Sequence, residues 1–133
     1  MTLSEPTKPG LNRPLTAAAL VLCLTAAIHA FLGGPEINVP VQTSKLDPVV
    51  RSVSGVVWHT LTALFLIMGA ASLWAARHVN RPLVTTLLAI CLAFAAIFLV
   101  VGATSLGTIW PMPQWVIFLI AAALYLWGAN SNS

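Results

Sequence analysis

The chain has 133 residues, of which 59% are hydrophobic and only 7% charged, against about 25% charged in ordinary soluble domains. A soluble fold has no interior large enough for that much apolar surface, so the composition points to one helical domain covered mainly by lipid. The net charge of +3 lies at the ends of the apolar segments, which suits anchoring at a membrane edge and assembles no basic groove for nucleic acid.

Taken in chain order, four stretches reach the roughly 20 apolar residues that a helix needs to cross a hydrocarbon core of about 30 Å. They run from about residue 15 to 32, 53 to 76, 83 to 106 and 111 to 128. After the first, Gly33 and Gly34 are expected to end the helix and Pro35 to prevent its continuation, opening a connection over 33–52. Asp47 and Pro48 have the residue types of a helix cap and first position, so the second helix is expected over 48–76. Gly107, Thr108, Pro111 and Pro113 break the third from the fourth. Nothing after Arg81 is charged. Residues 1–12 and 129–133 are expected as mobile tails.

Orientation follows from the basic residues in short connections. Lys8, Arg13, Arg77 and Arg81 fall on one side, assigned to the cytoplasm, while Lys45 and Arg51 are balanced by Glu36 and Asp47 across the membrane. The expected fold is all-α, a four-transmembrane-helix bundle running up-down-up-down in the bacterial inner membrane with both termini cytoplasmic. Trp58 and Trp110 then mark the outer edge, Trp74 and Trp127 the inner one. A rival reading makes residues 1–30 a cleaved signal peptide, but Ile28 and Phe31 are poor neighbours for a cleavage site and the segment reads better as an anchor. The Cys23 to Ile28 stretch loosely echoes Cys91 to Ile97, but needs an insertion, and is not read as a repeat.

Polar groups in hydrocarbon are expected to point at other helices. On the second helix Ser52, Gly55, His59, Thr62, Leu66 and Gly69 share one face, with Phe65 and Met68 elsewhere. The first helix aligns Ala18, Leu22, Thr25, His29 and Gly33, and the fourth aligns Gln114, Phe118, Ala121, Tyr125 and Gly128. Ala89, Ala93, Ala96 and Ala103 give the third helix a close-contact face.

Counting 1.5 Å per residue from the flanking arginines puts His29 at about 24 Å and His59 at about 27 Å, both in the outer third of the bilayer. Two readings of this pair stay open. One is a cofactor or metal site: facing imidazoles ligate heme b iron from two sides, with Lys45 and Arg51 receiving the propionates. A zinc or copper variant would recruit Glu36, Asp47 or Met112, and a quinone ring would rest against Trp58 and Trp110. Gln114 reaches the same level, completing a candidate set of His29, His59, Glu36, Arg51 and Gln114, with His29 and His59 as metal ligands. The other reading has neutral imidazoles fastening the first two helices through Thr25, Thr62 or Glu36, at about 0.6 kcal/mol per hydrogen bond. No cofactor is then needed.

Several activities lack their residues. No acidic side chain lies within a membrane segment, as a proton-coupled exporter would require. Cys23 and Cys91, each about 15 Å deep, are expected as packing groups without a catalytic partner or a shared disulfide. His78 belongs to the Arg77 to Arg81 turn. His29, Gly33-Gly34-Pro35-Glu36-Ile37, Pro40, Trp58-His59-Thr60 and Pro113-Gln114-Trp115 together resemble a group of small four-helix bacterial inner-membrane proteins. The resemblance spans most of the chain and implies location and architecture without an activity. The functional expectation is an accessory or assembly subunit, more a binding protein than an enzyme, that forms a homo-oligomer or joins a larger membrane complex. The alternative is a binder of heme, metal or quinone at the outer leaflet.

Overall fold

The computed structural model describes residues 10–131, and within them all regular structure is helical. Four helices result: α1 (Arg13–Gln42), α2 (Pro48–Arg77), α3 (Arg81–Leu106) and α4 (Trp115–Asn130). The first three are long and apolar enough to cross a membrane, which makes this an integral membrane protein by length and composition. The fourth has 16 residues and rises about 24 Å.

Three of the helices start on the same chemistry. Asn12, Asp47 and Asn80 each accept a hydrogen bond from a backbone N–H two or three residues on, at 3.1, 2.8 and 3.0 Å. A proline follows within two positions every time, where its missing N–H costs nothing. α3 stops at Gly107, whose φ of 67° is a left-handed conformation that glycine adopts without strain.

The first helix does not stop where its glycines and proline suggest. It stays α-helical over Arg13–Ile28, widens to a π-helix over His29–Asn38, and closes with an α-helical turn over Val39–Gln42. In an α-helix the Pro35 ring would strike the carbonyl four residues back. The π-helical turn, with its i→i+5 pattern, takes up the proline inside a continuous helix. The connection to α2 therefore covers only Thr43 to Asp47, not 33–52. The fourth helix likewise begins later than expected, at Trp115.

Residue 12 is not part of a mobile tail, either. Asn12 is 5% exposed. Its backbone N–H donates to Ala76 O at 2.9 Å, and its side-chain amide donates to Gly128 O at 2.9 Å. One asparagine thus joins the start of α1 to the ends of α2 and α4. Residues 1–9 and 132–133 lie outside the described residues.

The core overturns part of the expected inward stripe of α2. Phe65 and Met68 are buried together with Gly69, Ser72, Ala75 and Ala76, whereas Ser52, His59 and Leu66 are exposed. Ring volume decides this: Phe65 packs against Phe94 and Phe118 with centroids 5.9 and 5.8 Å apart, a filling that a threonine or histidine could not supply. On α1 and α4 the expected rows do face inward, at Ala18, Leu22 and Thr25 and at Phe118, Ala121, Tyr125 and Gly128. The alanine row of α3 is exposed instead.

The two halves also share residues at fixed spacings that a comparison starting from Cys23 and Cys91 does not bring out. Asn12-Arg13-Pro14-Leu15 recurs as Asn80-Arg81-Pro82-Leu83, and at the same spacing Leu20, Cys23, Leu24 and Ala27 recur as Leu88, Cys91, Leu92 and Ala95. At a second, shorter spacing Phe65-Leu66-Ile67, Ala70, Leu73-Trp74 and Ala76 recur as Phe118-Leu119-Ile120, Ala123, Leu126-Trp127 and Ala129. In that register Phe65, Met68, Gly69, Ser72 and Ala75 of α2 match Phe118, Ala121, Ala122, Tyr125 and Gly128 of α4, and all ten are buried. Equivalent residues touch each other: Phe65 meets Phe118, and Ser72 hydrogen bonds to Tyr125. Contact between a position and its own counterpart is the mark of a two-fold interface. The two hairpins, α1–α2 and the shorter α3–α4, therefore pair matching positions across the bundle.

The two seams between the hairpins differ for a physical reason. A Cβ placed on Gly128 would lie 2.6 Å from Leu15, so only glycine lets α4 approach α1 this closely. Its counterpart in α2 is Ala75, and α2 meets α3 along a shorter seam than α1 forms with α4. Replacing Gly128 with alanine is expected to lower unfolding free energy by about 1–3 kcal/mol through overpacking. Ala75→Gly should change it by less than about 1 kcal/mol, and denaturation of both variants in detergent micelles measures the difference.

Candidate functional site

The end of the bundle remote from Asn12 holds the candidate residues, and the π-helical segment sets their geometry. Its wider turn brings Gly33 under the α2 indole, where a Cβ would lie 3.2 Å from the Trp58 ring. His29 is half-buried and stacks on that indole, with centroids 3.9 Å apart and planes 19° from parallel. Its other neighbour is Phe65, edge-on at 5.6 Å. The ring nitrogen Nε2 is 3.2 Å from Trp58 O. A carbonyl can only accept, so in this contact Nε2 is the donor.

His59, one position further along α2, points elsewhere. It is exposed and lines a cleft of about 270 Å³ between α1 and α2, together with Gly34, Pro35, Asn38, Trp58 and Thr62. Thr62 donates to Trp58 O at 3.2 Å, so that one carbonyl receives both His29 and Thr62. The two histidines thus belong to different environments: one fastens the helices through an aromatic stack, the other opens on a cleft.

The remaining candidates are dispersed around this end. Arg51 donates to Gln42 O at 3.0 Å, and Gln42 returns a bond to Arg51 O at 2.9 Å, a reciprocal clasp that closes the Thr43 to Asp47 turn. Glu36 is exposed, and the guanidinium goes to the Gln42 carbonyl in its place. Gln114 sits at the start of α4, its Oε1 buried and without a partner among the described residues. Among the described residues no three His, Cys, Asp or Glu side chains are grouped closely enough to hold a metal ion. Met112 and Asp47 do not line the cleft, and Lys45 is exposed.

Sequence reasoning missed Trp58 as the partner of His29, and it missed Asn38. The signal for Trp58 was available: Gly33 is the one residue at that level of α1 that leaves room for an indole. The signal for Asn38 was not, because it depends on the helix continuing through Pro35.

The likeness between the halves gives this end a further meaning. The first hairpin is longer than the second at the remote end, where α1 runs on to Gln42 and the next helix starts at Pro48. In the same registers the cleft residues Ala30, Gly34, Pro35 and Asn38 match Phe98, Gly102, Ala103 and Leu106 of α3, none of which has a polar side chain. Comparison of the chain with known protein families, with curated proteins and with solved structures finds no match.

The two imidazoles should separate in a stability measurement. His29→Ala loses a stack and a hydrogen bond, for an expected cost of about 2 kcal/mol. His59→Ala removes an exposed side chain and should stay within about 0.5 kcal/mol of the parent. Equilibrium unfolding in micelles reads both.

Proposed function

We propose that this chain is a non-catalytic accessory subunit of the bacterial inner membrane, a four-span bundle that docks laterally onto a membrane partner. Four crossings in up-down-up-down order are supported by the Asn-Arg-Pro-Leu element that begins both hairpins, which suits a start on the same side. Lys8, Arg13, Arg77 and Arg81 make that side cytoplasmic, together with both termini. The apolar residues Ile109 to Met112 that lead into α4 add the length it lacks for a core of about 30 Å.

The observation that carries the docking role is an uncovered face. On α1 the positions Leu15, Ala18, Leu22 and Thr25 are buried. Their counterparts on α3 are Leu83 and Ile90, half-buried, and Thr86 and Ala93, exposed. α3 is rolled so that Cys91 and Ala95 face the bundle, leaving Ala89, Ala93 and Ala96 outside. The matching face of α1 already serves a close helix contact, with α4. A transmembrane helix with small residues at its crossing point, as α4 has at Gly128, is the matching occupant.

The test is native electrophoresis of full-length protein gently extracted from its own membranes. The parent should migrate well above its own mass of 14.1 kDa and its micelle. Ala93→Phe, which fills the face, should shift it to the size of the lone subunit, while Ile67→Phe on the exposed side of α2 should not. A parent that already migrates alone would remove the accessory role.

A further inference from the structure

The cleft beside His59 is separate from the α3 docking face, and its chemistry selects a ligand class. None of the side chains lining it carries a permanent charge, so a phosphate or carboxylate headgroup would find no cation to bind. Its volume of about 270 Å³ lies just below the usual 300–1,000 Å³ of ligand sites. That admits a single substituted ring and not a porphyrin. One wall is the indole of Trp58, backed by the His29 ring. A planar ring is the ligand shape that such a wall favours.

Both donors and acceptors converge on this space. The His59 imidazole makes no hydrogen bond within the described residues and offers one nitrogen of each kind. Asn38 receives only a long bond, 3.4 Å, from Gln42, leaving its amide N–H groups free to donate. Thr62 uses its proton on Trp58 O and keeps its lone pairs. A backbone acceptor adds to these. Pro35 has no N–H, so Ala30, its acceptor five residues back in the π-helix and itself part of the cleft wall, lacks the donor that the helix would otherwise supply. Polar groups at membrane depth call for partners, and a neutral ring with oxygens on opposite edges supplies them.

We infer that the cleft between the π-helical turn of α1 and the His59 face of α2 binds the headgroup of a membrane-dissolved quinone or quinol, with His59 and Asn38 holding its oxygens and Trp58 its ring. The isoprenoid tail stays in the bilayer in this reading. His29 is a positioning residue here, since it holds the indole and does not reach the cleft.

The experiment titrates a short-chain benzoquinone analogue into the full-length protein in nanodiscs and follows tryptophan fluorescence. Saturable quenching is expected. His59→Leu and Asn38→Leu should each weaken it about tenfold, the worth of one hydrogen bond to a well-placed oxygen. His59→Gln, which keeps a donor, should lie within about threefold of the parent, and Trp127→Phe at the other end should leave the midpoint unchanged. Thermal melts of each variant confirm that it is folded, and His59→Gln serves if His59→Leu is not. Quenching that rises linearly with added quinone, or a midpoint indifferent to His59 and Asn38, overturns the proposal. Neither result bears on migration in the native gel, so the docking role and the quinone site stand or fall separately.

Discussion

At the centre of the bundle, α2 and α4 meet through positions that match in register. Ser72 of α2 donates to the carbonyl of Met68 at 2.7 Å, so its oxygen is left to accept the phenol proton of Tyr125, its own counterpart on α4. Phe65 and Phe118 repeat the arrangement half a bundle away. Lipid tails are as apolar as the helix surfaces, so no hydrophobic force drives this association, and packing with a few internal hydrogen bonds must hold it. A pairing of equivalents satisfies both at once. Serine opposite tyrosine is a polar pair with no unmet proton, and phenylalanine opposite phenylalanine fills the space that small residues around it leave open.

Departures from that symmetry locate what the molecule has specialised. Gly128 in place of Ala75 draws α4 onto α1, and Asn12 then reaches the Gly128 carbonyl, while Asn80 remains exposed as a simple cap. The tight seam fixes one side of the bundle. The opposite seam is shorter, and α3 rolls to leave its small residues outside. At the other end the first hairpin departs from the second in side chains and in helix type, with the π-helix, the His29–Trp58 stack and the cleft. Local rules are broken there too, with a proline inside a helix and an unbonded imidazole, in a chain that elsewhere obeys them. Such breaks gather at functional sites, and long π-helical runs are rare enough to need a reason.

Much of this architecture was legible from residue types. Asp47-Pro48 announced the start of α2, Gly107 the end of α3, and the inward rows of α1 and α4 followed from periodicity. The rest depended on contacts that a linear reading does not contain. Pro35 is a reliable stop for an α-helix, but the rule is silent on a π-helix, which has already moved the clashing carbonyl. Phe65 seemed dispensable to the core because polar groups were assumed to claim the inside, whereas ring volume outweighed them. The likeness between the two halves is faint around Cys23 and Cys91 and clear at Asn12 and Asn80, where four consecutive residues agree. With α1 ended too early, Glu36 and Arg51 seemed to share a loop, and the two histidines seemed to face one another.

The pairing of equivalents is most directly tested by a double-mutant cycle in micelles on Ser72→Ala and Tyr125→Phe. The account predicts that the two losses overlap, with a coupling of about 0.5–1.5 kcal/mol between positions on helices that are not neighbours in sequence. Strictly additive losses would mean that the hydroxyl and the phenol do not meet, and the two-fold core described here would be wrong.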